Sequence, residues 1–305
     1  MTPAMQYPVP PEDEVRAMLP RAHGLVLGHG LTMGPAEMDL AVNLEVIGRN
    51  GVGLDNVDLR AATERQIPVV YTPYGPTEST AEHALLLILA TARHLSRLDR
   101  AVRSGDFAIQ LRSDAMGHEL EGKALGVVGF GRIGQRLAEM CHAALHMSVW
   151  VYDPYLDREA VAEWGGMFVE NLVELAGQVD VLSVHTPLTS ETRCLINGDV
   201  IRAMKPGAIL VNTSRGPVVD EIALLGALQS GHLGGAGLDV YDPQPPSPDN
   251  PLLQLDQVVL TPHVASFTAE GRQRMGLTVV EDVLRVFRGE YPKYPANPEV
   301  WQAGS

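Results

Sequence analysis

Ten short β-branched runs, separated by stretches of helical spacing, constrain this chain more than any other feature. They are Gly24 to Gly28, Leu44 to Gly48, Val69 to Thr72, Leu125 to Phe130, Ser148 to Asp153, Met167 to Glu170, Val181 to His185, Ala208 to Asn212, Ala236 to Tyr241 and Val258 to Thr261. Strands spaced by helices pair in parallel, because parallel neighbours need a long crossover to join them. The pattern predicts an α/β protein with a doubly wound parallel sheet over 77–264. A smaller α/β domain is expected from 1–76 together with 265–305. Between the two groups of strands, Thr77 to Arg100 reads as one long connecting helix. Its run Ala84 to Ala90 is apolar nearly all round and should be buried. Asp220 and Gly231 bracket a further helix as N-cap and stop. The amphipathic stretch of roughly Thr268 to Arg288 is expected to return the chain to the first domain. The Pro-rich segment Asp242 to Pro251 continues neither helix nor sheet, so it should lie at the surface or at a cleft.

The most specific local signal is Gly129-Phe-Gly131-Arg132-Ile133-Gly134, which follows the run LGVV and opens a helix-like stretch. Gly129 permits the tight turn, Gly131 lets the backbone approach a pyrophosphate, and Gly134 lets helix and strand pack closely. A pyrophosphate there would sit on a helix N-terminus, where N–H groups and the positive end of the dipole favour an anion. Asp153 ends the next strand, 19 residues after Gly134 (153 − 134 = 19), where a carboxylate would accept from both ribose hydroxyls. These features predict a Rossmann-type cofactor domain that takes NAD. NADP would bring its 2′-phosphate against a like charge, and Pro154 and Tyr155 supply no Arg to offset it.

Composition narrows the partners. Acids outnumber bases 37 to 23, a formal net charge of −14, which would repel a phosphate backbone, so no nucleic-acid partner is expected. No apolar run approaches the roughly 18 residues of a membrane span, and the opening MTPAMQYPVPPEDEV has neither a basic start nor an apolar core. Cys141 and Cys194 are the only cysteines and are expected to be reduced thiols, consistent with a cytoplasmic protein. The histidines, cysteines and acids show no metal-ligand spacing, and no metal is expected.

Longer motifs carry a resemblance to a family. Gly122 to Gly134, His185-Thr186-Pro187-Leu-Thr-Ser-Glu-Thr192, Asn212-Thr213-Ser214-Arg215-Gly-Pro-Val-Val-Asp220, Leu238-Asp239-Val240 and Leu260-Thr-Pro-His263 resemble signatures of the D-isomer-specific 2-hydroxyacid dehydrogenases. With Asn50-Gly-Val52-Gly53-Leu-Asp-Asn-Val-Asp58 and Ala81-Glu-His83, the resemblance extends over nearly the whole chain. It implies a flavodoxin-like substrate domain beside the cofactor domain, and a homodimer for which Arg93 to Gly117 is the candidate arm. It implies that Arg215 holds the carboxylate and carbonyl of a small 2-keto or 2-hydroxy acid, that His263 is the general acid/base, and that Asp239 anchors the nicotinamide carboxamide. His185, Thr186, Pro187, Thr192, Thr213 and Ser214 join the glycine turn and Asp153 as expected cofactor contacts. Asn50, Val52 and Gly53 are expected to bind the substrate carboxylate through backbone N–H groups.

The chemistry asks for the same residue types. Reducing a 2-keto acid needs a planar two-donor cation and a proton donor titrating near neutrality. Arg215 and His263 each follow a strand end, where ligands bind in parallel sheets, and domain closure would bring both onto one substrate. His83, on the buried connecting helix, is read as structural.

The chain departs from the family at one catalytic position. Most members carry a Glu before a Pro in the loop that here reads Asp242-Pro-Gln244-Pro245. The usual Glu holds the catalytic histidine protonated; Gln244 can orient His263 without that charge. A similar Pro-Gln-Pro occurs in formate dehydrogenases, but their Asn before the Ala-Glu-His helix has no counterpart near Pro76 or Thr77. A Lys expected of phosphite dehydrogenases is Val52. A phosphorylated substrate would want an Arg where the sequence reads His29-Gly-Leu-Thr32. The expected substrate is therefore a small, non-phosphorylated 2-keto or 2-hydroxy acid; formate oxidation and an NAD(H)-sensing, corepressor-like scaffold are the alternatives. The family usually opens with one more strand and helix, so either Met5 to Val9 forms a surrogate strand or the native start lies upstream of Met1.

Overall fold

The computed structural model describes residues 12–28 and 31–302, so Met5 to Val9 lies outside the described residues. The chain divides into two compact units: Thr77–Thr268, and the described residues on either side of it. The boundary falls at Thr268, four residues beyond the Val264 expected from the sequence (268 − 264 = 4).

The smaller unit is a three-stranded parallel sheet in the order β1 (Gly24–Leu27), β2 (Val46–Arg49), β3 (Val69–Tyr71), with Gly24 opposite Val46 and Ile47 opposite Val69. Side chains alternate across a strand, and here they feed two cores. Ile47 and Val69 pack with Met38, Ala61 and Ala62 of the helices Pro35–Leu40 and Leu59–Glu64. Val46 and Val70 point the other way, against Val279 and Val283 of the helix Ala269–Phe287. Gly48 makes that contact possible, since a Cβ there would come within 2.8 Å of both valines.

The larger unit is a seven-stranded parallel sheet. Its strands are β4 (Ala124–Val128), β5 (Ser148–Tyr152), β6 (Met167–Phe168), β7 (Val181–Val184), β8 (Ile209–Asn212), β9 (Gly235–Leu238) and β10 (Val258–Leu260), in the order β10-β9-β8-β7-β4-β5-β6. Strands β4, β7, β8 and β9 are buried along their whole length, as a sheet covered on both faces requires. One face packs Leu125, Val127 and Val151 against Ala84, Leu87, Ile88, Leu137 and Cys141 of the helices Thr77–Ala92 and Arg132–Leu145. The other packs Leu182, Val184 and Leu210 against Leu175, Val200 and Leu224. From β4 the chain winds to β5 and β6 on one side and to β7 through β10 on the other. The reversal between β4 and β7 leaves a crevice at the carboxyl ends of the strands, where such sheets bind ligands.

The long helix expected over Thr77 to Arg100 is two helices. The first ends at Ala92, His94 turns the chain with φ of 51°, and Leu95–Arg103 follows with no buried residue. The reason is the change of composition after Ala92: the first helix has an apolar surface to bury, while RHLSRLDR offers the core little. The helix Glu221–Gln229 is capped as expected, Asp220 accepting from Ile222 N at 3.1 Å and Ala223 N at 3.0 Å. Among the described residues, no helix is long and apolar enough to cross a membrane, and no group of His, Cys, Asp or Glu could hold a metal ion.

Candidate active site

The glycine turn follows β4 at the switch point. Gly129 has φ of +88°, and a Cβ there would press on the backbone of His185 at 3.0 Å, so only glycine lets the turn pass so close to the end of β7. At Gly134 a Cβ would lie 2.4 Å from Gly129 O, which fixes the approach of helix Arg132–Leu145 to the strand. At Gly131, the N-cap of that helix, a Cβ would meet nothing within 4 Å, so the space over the helix N-terminus is open to a ligand. Ile133 is partly buried in the core behind the turn, and Arg132 is exposed beside it.

Asp153 lies one residue beyond β5. Its Oδ2 accepts from Phe130 N at 2.8 Å and its Oδ1 from Tyr155 N at 3.0 Å, so the carboxylate is tied to the glycine turn. Each oxygen keeps acceptor capacity for a hydroxyl. Around the crevice, the buried hydroxyls Thr186 Oγ1 and Thr213 Oγ1 have no partner within the protein. A buried polar atom without a partner is costly, and two of them, Thr186 against the glycine turn and Thr213 just past the carboxyl end of β8, fit a polar ligand such as NAD. Ser214 Oγ donates to Asn212 Oδ1 at 2.8 Å. Thr192 Oγ1 donates to Pro187 O at 2.6 Å and accepts from Thr189 N at 2.8 Å, so its hydroxyl closes the loop after β7. His185 Nε2 lies 2.8 Å from Ser183 Oγ, and burial pushes its pKa down to about 4, leaving it neutral near pH 7.

Arg215 leaves β8 in extended conformation, with Nη1 donating to its neighbour's carbonyl, Ser214 O, at 2.7 Å. Gly216 follows because a Cβ there would lie 2.0 Å from the Tyr241 backbone. The strand β9 stops at Leu238, short of the Tyr241 expected, because Asp239 turns inward. Asp239 exposes none of its surface. Its Oδ1 accepts from Thr261 Oγ1 at 2.6 Å and Val264 N at 2.9 Å, and its Oδ2 from Ala265 N at 2.9 Å. Burial alone would raise its pKa; the bonds from His83, Thr261, Val264 and Ala265 outweigh that and lower it.

His263 sits in the loop that Asp239 holds, with φ of +56°, a conformation that costs a non-glycine residue energy and recurs at functional sites. Gln244 reaches it from the Pro-rich loop, Nε2 to Nδ1 at 2.7 Å. That loop is pinned by Glu221, whose oxygens accept from Asp242 N at 2.8 Å and Asn250 Nδ2 at 3.1 Å.

In the smaller unit, the turn at Asn50, Val52 and Gly53 is shaped by Arg49, a fully buried cation the sequence reading passed over. Arg49 donates to Asn50 O at 2.5 Å and Asn56 Oδ1 at 2.9 Å, and a Cβ on Gly51 would lie 2.5 Å from its guanidinium. Its signal was a lone arginine inside the apolar strand EVIGR. Val52 is exposed, and Asn50 Oδ1 is buried without a partner.

The family model described as D-isomer specific 2-hydroxyacid dehydrogenase, NAD binding domain, matches residues 85–265. A D-3-phosphoglycerate dehydrogenase of Archaeoglobus fulgidus is 43% identical over 277 residues, covering 91% of this chain and 52% of its own. The chain thus spans about half the length of that relative. A glyoxylate reductase of Korarchaeum cryptofilum is 42% identical over 263 residues, covering 86% of this chain and 79% of its own. Among solved structures, a Thermus thermophilus protein superimposes with a TM-score of 0.86 at 40% identity, covering 95% of this chain and 91% of that one. The chain belongs to the D-isomer specific 2-hydroxyacid dehydrogenase family, and its larger unit is the NAD-binding domain of that family.

Proposed function

We propose that the protein is an NAD-dependent oxidoreductase interconverting a small, non-phosphorylated 2-keto acid and its D-2-hydroxy acid. The observation that carries this reading is the pairing of His263 with Gln244 at the carboxyl end of the sheet, in the same unit as Arg215. NAD, when bound, supplies the two-electron exchange at the substrate's C2. Arg215 offers the carboxylate and carbonyl two parallel N–H donors and polarises the carbonyl. His263 Nε2 gives a proton to the developing alkoxide in reduction and takes it back in oxidation. In both states of that exchange Nδ1 carries its proton, so Gln244 holds the ring through its amide oxygen, which accepts from Nδ1–H; the amide nitrogen facing Nδ1 matches the neutral ring protonated on Nε2 alone. Thr186, Thr213, Asp153 and the turn of Gly129, Gly131 and Gly134 are assigned to the cofactor. Asn50, Val52 and Gly53 are assigned to the substrate carboxylate through their backbone N–H groups, as the resemblance to the family implies.

The substrate class rests on the segment His29 to Thr32, which has no arginine to meet a phosphate. A homodimer is proposed through 93–117, where Phe107, Leu111 and Met116 are 68%, 83% and 71% exposed and a partner subunit would cover them. The cytoplasm is the proposed compartment, since Cys141 and Cys194 are both free. The test is NADH oxidation with glyoxylate, hydroxypyruvate, pyruvate, phenylpyruvate and 3-phosphohydroxypyruvate, alongside NAD reduction with formate. One non-phosphorylated keto acid should have the highest kcat/KM. Preference for the phosphorylated acid would overturn the substrate class, and absence of turnover throughout would leave an NAD(H)-binding scaffold.

A further inference from the structure

Helix Thr77–Ala92 reaches the catalytic loop with one titratable side chain that the proposed mechanism leaves unused. His83 lies on that helix with its side chain 13% exposed, and its Nε2 is 2.9 Å from Thr261 Oγ1 and 3.5 Å from Asp239 Oδ1. The direction of the bonds follows from the inventory of protons. Asp239 accepts at both oxygens, so the single proton of Thr261 Oγ1 goes to Asp239 Oδ1 at 2.6 Å. Toward His83 the threonine oxygen can then only accept. His83 therefore carries a proton on Nε2, and the chain of donors runs from His83 to Thr261 to Asp239.

Asp239 in turn accepts from Val264 N and Ala265 N, the amides that directly follow His263. Thr261 meets the loop from the other side, its carbonyl accepting from His263 N at 3.1 Å and from the buried Tyr241 hydroxyl at 2.8 Å. One turn earlier on the same helix, Ser79 Oγ lies 2.7 Å from Thr268 Oγ1. The helix thus grips the loop at residue 261 and again at residue 268, and the unfavourable φ of His263 lies inside that grip.

We propose that His83 is a positioning residue for His263, acting through Thr261 and Asp239 to hold the catalytic loop in its strained conformation. The role of His263 itself rests on the function proposed above. Without the His83 donor, Thr261 and Asp239 each lose part of the bonding that offsets their burial, and the loop relaxes toward conformations that turn the imidazole away. The glycine turn, Asp153, Thr186 and Thr213, assigned above to the cofactor, follow β4, β5, β7 and β8, so NADH affinity should change little.

The experiment compares the full-length protein with His83→Leu, which removes the donor, and His83→Gln, whose amide nitrogen can take the place of Nε2. Three readouts are needed: keto-acid reduction, NADH affinity by fluorescence titration, and hydrogen exchange at the Val264 and Ala265 amides. In His83→Leu, kcat should fall on the order of tenfold or more, with KM and NADH affinity within about threefold and exchange at both amides accelerated. His83→Gln should recover most of kcat and of the exchange protection. A His83→Leu protein with normal kcat and normal exchange, or a His83→Gln protein as impaired as the leucine variant, overturns the proposal. If the wild-type protein reduces no keto acid, the functional reading falls, and exchange alone decides the linkage: acceleration in His83→Leu supports it and unchanged exchange overturns it. Should His83→Leu fail to fold, nitrogen NMR of the wild type decides, with a proton on His83 Nε2 supporting the proposal and a bare Nε2 overturning it.

Discussion

Gln244 Nε2 lies 2.7 Å from His263 Nδ1, across 19 residues of sequence and from a loop pinned by Glu221. A carboxylate in that place could only accept from Nδ1–H and would favour the imidazolium by charge. An amide bonds to the charged or the neutral ring and favours neither by charge. The pairing can hold the orientation of His263 without an electrostatic bias toward its protonated form.

Arg215→Lys should lower kcat/KM for keto-acid reduction by about 2–3 kcal/mol, roughly 30- to 150-fold, because an ammonium cannot reproduce two parallel N–H donors. NADH affinity should hold. Steady-state kinetics showing near-normal kcat/KM would move the carboxylate site elsewhere.

Asp153 ties both the glycine turn and the following loop while keeping acceptor capacity on each oxygen. NAD(H) should be used at least roughly tenfold better than NADP(H), a difference of about 1.4 kcal/mol. Asp153→Asn removes the charge that faces a 2′-phosphate and should narrow the ratio. Equal kcat/KM for the two cofactors in the wild type would refute this role.

The largely desolvated imidazole of His185 ties stability to pH. Its folded pKa is about 4 against an ordinary 6.5, so the unfolded chain binds more protons and stability falls as pH drops from 6.5 toward 4. Between pH 7 and pH 5 the loss from this group should be about 2 kcal/mol. Chemical denaturation at the two pH values should show a smaller loss in His185→Gln; an identical loss would mean that His185 does not titrate as its burial implies.

Light scattering at micromolar concentration should give twice the chain mass. Leu111→Glu places a charge in the exposed apolar segment 107–116 and should shift the protein toward monomer. A wild-type monomer would remove 93–117 as an interface.

The cofactor half of the site was legible because its logic is local. The glycine turn, the helix after it and Asp153 lie within 25 residues (153 − 129 + 1 = 25); Gly129 makes the tight turn and Gly134 the close helix packing that their spacing implies, and Gly131 faces open space. The ten strands were legible for the same reason, since a buried parallel strand is a short apolar run wherever it falls. Long-range partnerships were not. Nothing near His83 points to Thr261, 178 residues away, and nothing near Asp239 says that its carboxylate is spent on the backbone of 264–265. The break at His94 escaped because helix propensity continues through Leu95–Arg103, and only tertiary packing ends the first helix at Ala92. Gln244 was found only through the family resemblance, which supplied the expectation of a carboxylate for it to replace.

That Gln244 is the partner that orients His263 for proton transfer is tested most directly by the pH profile of Gln244→Glu. Keto-acid reduction needs the protonated histidine, so kcat/KM falls as pH rises through the titration of that group. A carboxylate beside Nδ1 stabilises the imidazolium, so the midpoint of that fall should move upward by about one unit or more, the equivalent of about 1.36 kcal/mol per unit. Measured on a folded, NADH-binding variant, an upward shift of that size is the expected result. A profile that stays where it is in the wild type would contradict the pairing of residue 244 with the proton-transferring histidine.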